Sequence, residues 1–441
     1  MSQRPGRRAA CPSLAQPMRT GDGWLVRLAP LRHELNGSVM VRLAELALQH
    51  GNGQLEITQR GNLQARGFTQ ASAAAFNMAV NQVLPQPLAS PVVSLEPSPT
   101  ESGKNTRWAL ASGVACRDPA SSCPAGYLQE LRESLLQAVA ALELTLAPKC
   151  SVLVEGDGGW GMAELSADVR LRLNSRECAL GIGGNVSTAV WYRPKALVQV
   201  DQVEGQMDAL VDAAIVVLKQ LAAVEGMRGR ELKQRQRLAS SMAAAGWLPG
   251  PSPSLPRRPM PAIGQIAEQS LVLGVPFGVL EAADLKAIGQ VCGHHEVVVW
   301  WLPGRRILLV GTQEALVDVR RLASQHGLIT EPTDARLHMS ACQGAPGCRS
   351  GWVAARQLAT RLAASLEDGS KTVPGAYKGL HVAGCAKGCA APNTRTRCLV
   401  GVGPDRLAVV RHGVAHDSPD AYIAVPAREA LWQLIDVVEQ H

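Results

Sequence analysis

The sequence predicts an α+β protein whose architecture is written twice, and three observations carry that reading. A βαββα order of elements stands near the start and returns past the middle. Each copy is followed by a loop bearing a pair of cysteines, then by a helix and a strand. A proline-rich run separates the two copies. Matching order and matching lengths are the mark of internal duplication.

Taken in order, Trp24 to Ala29 alternates in the manner of a half-buried strand. A helix starts near Asn36 or Ser38, with Val39, Leu43, Leu46 and Ala47 on one face and Gly51 as its stop. Gln54 to Thr58 reads as a strand, Arg60-Gly61-Asn62 as a turn, Leu63 to Arg66 as a strand and Gln70 to Val83 as a helix. The loop of Cys116 and Cys123 leads to a helix from Tyr127 to Leu142 and a strand from Ser151 to Val154; further strands and a helix from Glu204 to Val224 close this half. Gly181 to Asn185 lacks the full dinucleotide fingerprint and reads as a hairpin turn. From Leu248 to Pro261 the prolines predict an extended, stiff connector that packs little.

The second copy repeats the pattern. Leu271 to Val275 is a strand, Glu281 to Val291 a helix, Glu296 to Trp301 a strand, Pro303 to Arg306 a turn, Ile307 to Val310 a strand and Glu314 to Gln325 a helix. The Cys342/Cys348 loop then leads to a helix near Trp352 to Leu366 and a strand from Leu380 to Ala383, with a last helix from Ala427 to Glu439. The domain plan is therefore half-domains over 9–88 and 89–247, a linker over 248–262, and half-domains over 263–332 and 333–441.

Bulk properties narrow the class. At 441 residues, 46% hydrophobic and 18% charged, the chain can bury two or three cores. No apolar run reaches the roughly 18 residues of a membrane span, and the basic start Met1 to Arg8 lacks the apolar core of a signal peptide. Eleven cysteines, an odd number, suit a reducing cytoplasm better than a disulfide scaffold. A net charge of +7, spread rather than striped, argues against nucleic acid and suits a small polyanion.

Four cysteines point to the chemistry. Five residues separate Cys342 from Cys348, three separate Cys385 from Cys389, and 36 lie between the pairs. Four thiolates that converge suit a 4Fe–4S cluster, and the spacing is neither that of a zinc ribbon nor of a bacterial ferredoxin. Glycines in both loops let backbone approach a bulky cube and point N–H groups at its sulfurs.

This spacing resembles the sulfite and nitrite reductase superfamily. The wording of Cys342-Gln-Gly-Ala-Pro-Gly-Cys348 and Gly384-Cys385-Ala-Lys-Gly-Cys389-Ala-Ala-Pro392 is similar to its precorrin-3B synthase branch, as is the opening Ala10 to Trp24. The resemblance runs from about residue 9 to the C-terminus. It implies a pseudo-two-fold duplicated fold, each half a ferredoxin-like βαββα unit plus an α/β catalytic half-domain. It implies an oxygen-dependent monooxygenase of aerobic cobalamin biosynthesis, converting precorrin-3A to precorrin-3B by C20 hydroxylation and lactone formation from the ring-A acetate. The implied set is a 4Fe–4S cluster on Cys342, Cys348, Cys385 and Cys389, a mononuclear non-haem iron, O2 and a separate NADH-dependent electron donor.

The same resemblance implies site residues. The segment Thr58 to Arg66 resembles the reductase stretch that lays an arginine and amides against the tetrapyrrole, with Arg60 at the active-site arginine. Arg60 and Lys149 are thereby expected to be catalytic; Arg60, Asn62, Gln64, Arg66, Lys149 and Lys387 are expected to bind substrate. Physically, a strand-turn-strand bearing Arg60 and Arg66 offers bidentate partners for carboxylates, while a solvated polar hairpin is the plain alternative. Lys378, Arg395 and Arg397 also flank the second cysteine pair. For the iron, His412, His416 and Asp417, or His294, His295 and Glu296, have usable composition without a diagnostic pattern. Cys116, Cys123 and Cys150 lack a fourth partner and read as structural thiols or vestiges of the duplication.

The alternative function is a sirohaem-dependent sulfite or nitrite reductase, in which Cys389 would bridge cluster and sirohaem iron. Two departures count against it. Ser151 stands where the reductases carry a second lysine after Lys149, and Arg117 lies outside the context of their second arginine. A non-catalytic iron–sulfur protein is the third reading.

Overall fold

The computed structural model describes residues 12–14, 16–28, 35–83, 109–111, 122–123, 126–142, 144, 146–147, 150–158, 163, 165–195, 203–253, 262–367, 379–391 and 396–425. The expected helix over 427–439 lies outside them, as do Cys116, Arg117, Lys149, Lys378 and Arg395. The described residues fall into two units, one drawn from 1–15, 28–34 and 84–262, the other from 16–27, 35–83 and 263–441.

The first βαββα copy belongs to the second unit. Its elements are β1 (Met18–Thr20), β2 (Gly23–Leu28), α1 (Gly37–His50), β3 (Gln54–Ile57), β4 (Leu63–Phe68) and α2 (Gln70–Val83). Asn36 caps α1 by accepting from Val39 N at 2.9 Å, and Gly51 ends it, donating to Ala47 O at 3.0 Å. Met40, Leu43, Leu46 and Ala47 form its buried face.

The first unit holds β5 (Ala109–Ala111), α3 (Tyr127–Ala141), β6 (Val152–Glu155), β7 (Ala167–Leu173), β8 (Cys178–Gly184), β9 (Val190–Pro194), α4 (Val203–Ala222), α5 (Gly229–Leu232), α6 (Gln236–Ala244) and β10 (Trp247–Gly250). Its sheet runs β10-β9-β8-β7-β6-β5, with β5, β6 and β7 parallel and the later pairs antiparallel. Gly181 to Asn185 ends β8 and enters the turn to β9, as expected of a hairpin. The connector expectation needs a correction at its start, because Trp247–Gly250 pairs with β9 from Pro194 back to Trp191. Pro249 is tolerated there because β10 is the edge strand and needs no N–H on its open side.

The second unit continues with β11 (Gly264–Ala267), β12 (Ser270–Gly274), β13 (Val279–Glu281), α7 (Ala282–His294), β14 (Val298–Leu302), β15 (Arg306–Val310) and α8 (Gln313–Gln325). The last module is β16 (Met339–Ala341), α9 (Ala355–Glu367), β17 (Leu380–Ala383), β18 (Thr396–Gly403), β19 (Arg406–Gly413) and β20 (Ala421–Ala424). α9 starts later than Trp352 because Trp352 N is spent on Gly384 O at 2.7 Å and Val353 O accepts from Ala345 N.

The duplication holds strand by strand. Sheet order β1-β2-β4-β3 returns as β11-β12-β15-β14. The β5-β6-β7-β8-β9 series, two parallel pairs then two antiparallel, returns as β16-β17-β18-β19-β20. Within the second unit the two βαββα copies also trade edges. β13, ahead of α7, pairs with β3 of the first copy. Leu35, ahead of α1, exchanges two backbone hydrogen bonds of 2.9 Å with Val299 in β14. The helices meet where side chains vanish: a Cβ on Gly37 would lie 2.1 Å from Gly289 O and Gly293 N. Among the described residues no helix is long and apolar enough to cross a membrane.

Candidate functional site

The parallel pairing of β16 with β17 decides where the cysteines go. Met339–Ala341 lies in register with Leu380–Val382, so the loops carrying Cys342/Cys348 and Cys385/Cys389 leave the same sheet edge side by side. Cys342 N donates to Val382 O at 3.1 Å, and Gly384 N donates to Cys342 Sγ at 3.0 Å. Gly384 is needed for that approach, since a Cβ there would sit 2.7 Å from Gly344 Cα. Burial pushes the Cys342 thiol up, N–H donors of Gly384 and Gly344 pull it down, and nearby Cys385 and Cys389 push it up again. Soft sulfur donors on two adjoining loops, with backbone N–H groups turned to sulfur, form a donor set that fits an iron–sulfur cluster. All nine described cysteines are free.

Behind this edge the first copy supplies the support. Arg66 on β4 donates from Nε to Asp22 Oδ2 at 2.9 Å, from Nη2 to Asp22 Oδ1 at 3.0 Å, and from Nη2 to Gly347 O, next to Cys348, at 3.2 Å. Glu56 on β3 lies 3.6 Å from the same guanidinium and binds Arg356 of α9 at 2.7 Å. Gln343, beside Cys342, donates to Gln54 at 3.1 Å. Arg66 was expected to face substrate carboxylates; its guanidinium instead anchors the Cys342–Cys348 loop to the first copy. Gln64 presents its amide oxygen to Arg27, at 2.8 Å from Nε and 2.6 Å from Nη2. Asn62 closes the turn, its backbone O accepting from Thr58 N at 2.9 Å, with Arg60 half-buried on the same turn. Lys387 is exposed and donates to Ser350 Oγ at 2.8 Å, tying the two cysteine loops together.

The expected iron ligands do not assemble. Among the described residues no group of three or more His, Cys, Asp or Glu side chains could hold one metal ion. His295 turns its Nε2 to Asp318 at 3.4 Å, and Glu296 sits in a left-handed turn at φ 53. Asp417 accepts from Val414 N at 3.1 Å, closing its own turn. Neither segment carried a diagnostic spacing, and in the fold His295 faces Asp318 while Asp417 closes a turn.

The first half shows what the cysteine edge becomes without ligands. β6 is followed by Gly156-Asp157 as β17 is followed by Gly384-Cys385, and Cys123-Pro-Ala-Gly-Tyr127 parallels Cys348-Arg-Ser-Gly-Trp352. Asp157, at the place of Cys385, accepts from Ser122 N at 2.9 Å and from Ser122 Oγ at 2.6 Å. A hydrogen-bonded clasp thus stands where the second half places Cys385. Burial pushes Cys150, Cys178 and Cys292 up to about 12 and Cys398 up to about 11, which keeps these thiols protonated and marks them as packing residues.

Known proteins share this frame. Residues 16–83, the first βαββα copy, match the nitrite/sulfite reductase ferredoxin-like half domain. The NirA protein of Mycobacterium tuberculosis is similar in structure, with a TM-score of 0.63 over 94% of this chain and 79% of its own, at 12% identity. The duplicated sulfite/nitrite reductase fold is therefore the fold of this chain. A precorrin-3B synthase of a Sinorhizobium species is 34% identical over 437 residues, 94% of this chain and 85% of its own. The chain belongs to the precorrin-3B synthase family. Within that family its Ser151 is a buried structural residue: Ser151 N and Oγ donate to Asp168 at 2.8 and 3.2 Å, and Asp168 also binds Arg228 at 2.8 Å. Sequence reasoning gave no role to Asp22, Glu56, Gln343 or Arg356, whose signal is only a polar side chain in a strand, loop or helix; their meaning appears once segments some 300 residues apart are brought together.

Proposed function

We propose that this chain catalyses the conversion of precorrin-3A to precorrin-3B, as an oxidoreductase of cobalamin biosynthesis. The observation that carries the reading is the 34% identity to a precorrin-3B synthase over 94% of the chain. In balance, one atom of O2 enters the macrocycle at C20, the other leaves as water, and two electrons come from a separate NADH-dependent donor. The ring-A acetate then closes to a lactone. A 4Fe–4S cluster on Cys342, Cys348, Cys385 and Cys389 would supply one-electron transfer. Gly384 N–H would stabilise its charge through Cys342 Sγ, and Arg66 would keep the Cys348 end of the loop in place. Arg60, Asn62 and Gln64, on the β3–β4 hairpin, and Lys149 form the proposed substrate contacts, with the arginine bidentate to a peripheral carboxylate.

An absorption spectrum of protein purified without oxygen tests the reading. The expected result is a broad cluster shoulder and no strong macrocycle bands, because the tetrapyrrole is substrate rather than resident cofactor. Intense sirohaem bands in stoichiometric amount would instead assign a reductase.

A further inference from the structure

In the second unit the turns of the two βαββα copies lie on each other. The β3–β4 loop is Gln59-Arg60-Gly61, closed by the Thr58 N to Asn62 O bond of 2.9 Å. The β14–β15 loop is Pro303-Gly304-Arg305, closed by the Leu302–Arg306 pair. Gly304 N donates to Gln59 O at 3.0 Å, and a Cβ on Gly61 would lie 3.2 Å from Leu302 C and Pro303 N. The third position of each loop takes left-handed backbone, with φ of 74 at Gly61 and 62 at Arg305. Glycine adopts that conformation freely and arginine only against a steric cost. The first loop has one left-handed position and fills it with glycine; the second has two, Gly304 at φ 76 and Arg305, and only the first of them is glycine.

The strained residue is also short of a partner. The Arg305 side chain runs over Gly278, its Cδ 3.1 Å from where a Cβ would be. Burial and then the Arg356 charge weaken its hold on the proton, with Glu56 opposing. Glu56 is already bound by Arg356 at 2.7 Å, with Arg66 at 3.6 Å, and Arg66 holds Asp22. Among the described residues Arg305 has no hydrogen-bond acceptor and no ion pair. Towards the cysteine module, His381 on β17 is fully buried with Nε2 unpartnered, and Arg305 is one of the charges acting on it. A half-buried cation beside another cation, kept at a backbone cost, is placed for an anion that the described residues do not supply.

We propose that Arg305 binds a carboxylate of the tetrapyrrole, so that the stacked turns present arginines of both copies, Arg60 and Arg305, to one polycarboxylate rim. This rests on the function proposed above. The test is Arg305→Gly in cluster-loaded protein, titrated without oxygen against precorrin-3A and against uroporphyrin III, an unreactive octacarboxylate of the same class. Affinity for precorrin-3A should fall by about ten- to a hundredfold, while Tm stays level or rises by about 1–2 °C as the strain is released. An arginine kept for structure gives the reverse, a lower Tm at unchanged affinity. Affinity within about twofold of wild type overturns the inference at any Tm. Should the glycine variant fold poorly, Arg305→Gln keeps the backbone cost, removes the charge and decides by the same affinity criterion. If wild type binds uroporphyrin III and not precorrin-3A, the proposed function falls and the Arg305 variants are read on uroporphyrin III. If wild type binds neither, both fall.

Discussion

Cys342→Ser is expected to abolish the iron–sulfur signal and turnover together. Cys342 is where two backbone donors meet sulfur and where β16 hands over to the loop. A serine oxygen is harder, shorter and protonated at neutral pH, all against iron–sulfide chemistry. Loss of a ligand should exceed the about 10–100-fold cost of disturbing an outer-shell partner. Electron paramagnetic resonance of the reduced variant measures this, with Cys398→Ser as control. Cys398 is buried in β18 with its thiol pushed up to about 11, so its variant should keep a full signal. A complete 4Fe–4S spectrum from the Cys342 variant would remove that residue from the ligand set.

Arg66→Met should be the costliest substitution outside the cysteines. It strands Asp22 and deprives Glu56 of one of its two cations, and it frees Gly347 O beside Cys348. Breaking a buried pair from one side costs about 3–5 kcal/mol. For a unit of this size that lowers Tm by more than about 6 °C. Adding Asp22→Asn should restore part of the loss, because the stranded charge is gone. The pH dependence has a definite sign. Burial pushes the Asp22 carboxyl up, but donors from Arg66 and Thr20 outweigh it and hold it below its ordinary value. A carboxyl lowered in the folded state contributes stability above the unfolded carboxylate range and loses it as pH falls through the folded value. Wild type should therefore lose stability on acidification through that window, and Arg66→Met should lose less. A Tm within about 2 °C of wild type would show that the anchor carries no such weight.

Local chemistry made the frame legible. Asn36 and Gly51 bound α1 as cap and stop, Gln70–Val83 is helical as expected, and the cysteine loops follow β16 and β17 in the expected order. What stayed hidden depends on partners far along the chain. β13 reads as three residues ahead of a helix, and nothing local says that it will join the sheet of the first copy. Glu155 and Arg170 read as ordinary strand charges; packed fully inside the first unit they form a 2.8 Å pair. Arg66 was legible as a cation on a hairpin, but its direction is set by Asp22 and by Gly347, 281 residues away. Arg305 was legible only as part of a turn, because backbone φ has no mark in composition. The histidines carried no diagnostic spacing, and their neighbours were equally hidden: His295 faces Asp318 on α8, and Asp417 closes its own turn.

Labelled oxygen follows the monooxygenase conversion of precorrin-3A atom by atom. Cluster-loaded protein is supplied with precorrin-3A, an external electron source and 18O2, and the macrocycle is weighed by mass spectrometry. The predicted result is one labelled oxygen atom in the product and no electron consumption driven by sulfite. Ser151 motivates the second half, since its hydroxyl is buried against Asp168 and offers neither charge nor proton to an oxyacid. A macrocycle free of label, or brisk sulfite-dependent electron consumption, would rule out the monooxygenase and assign a reductase instead.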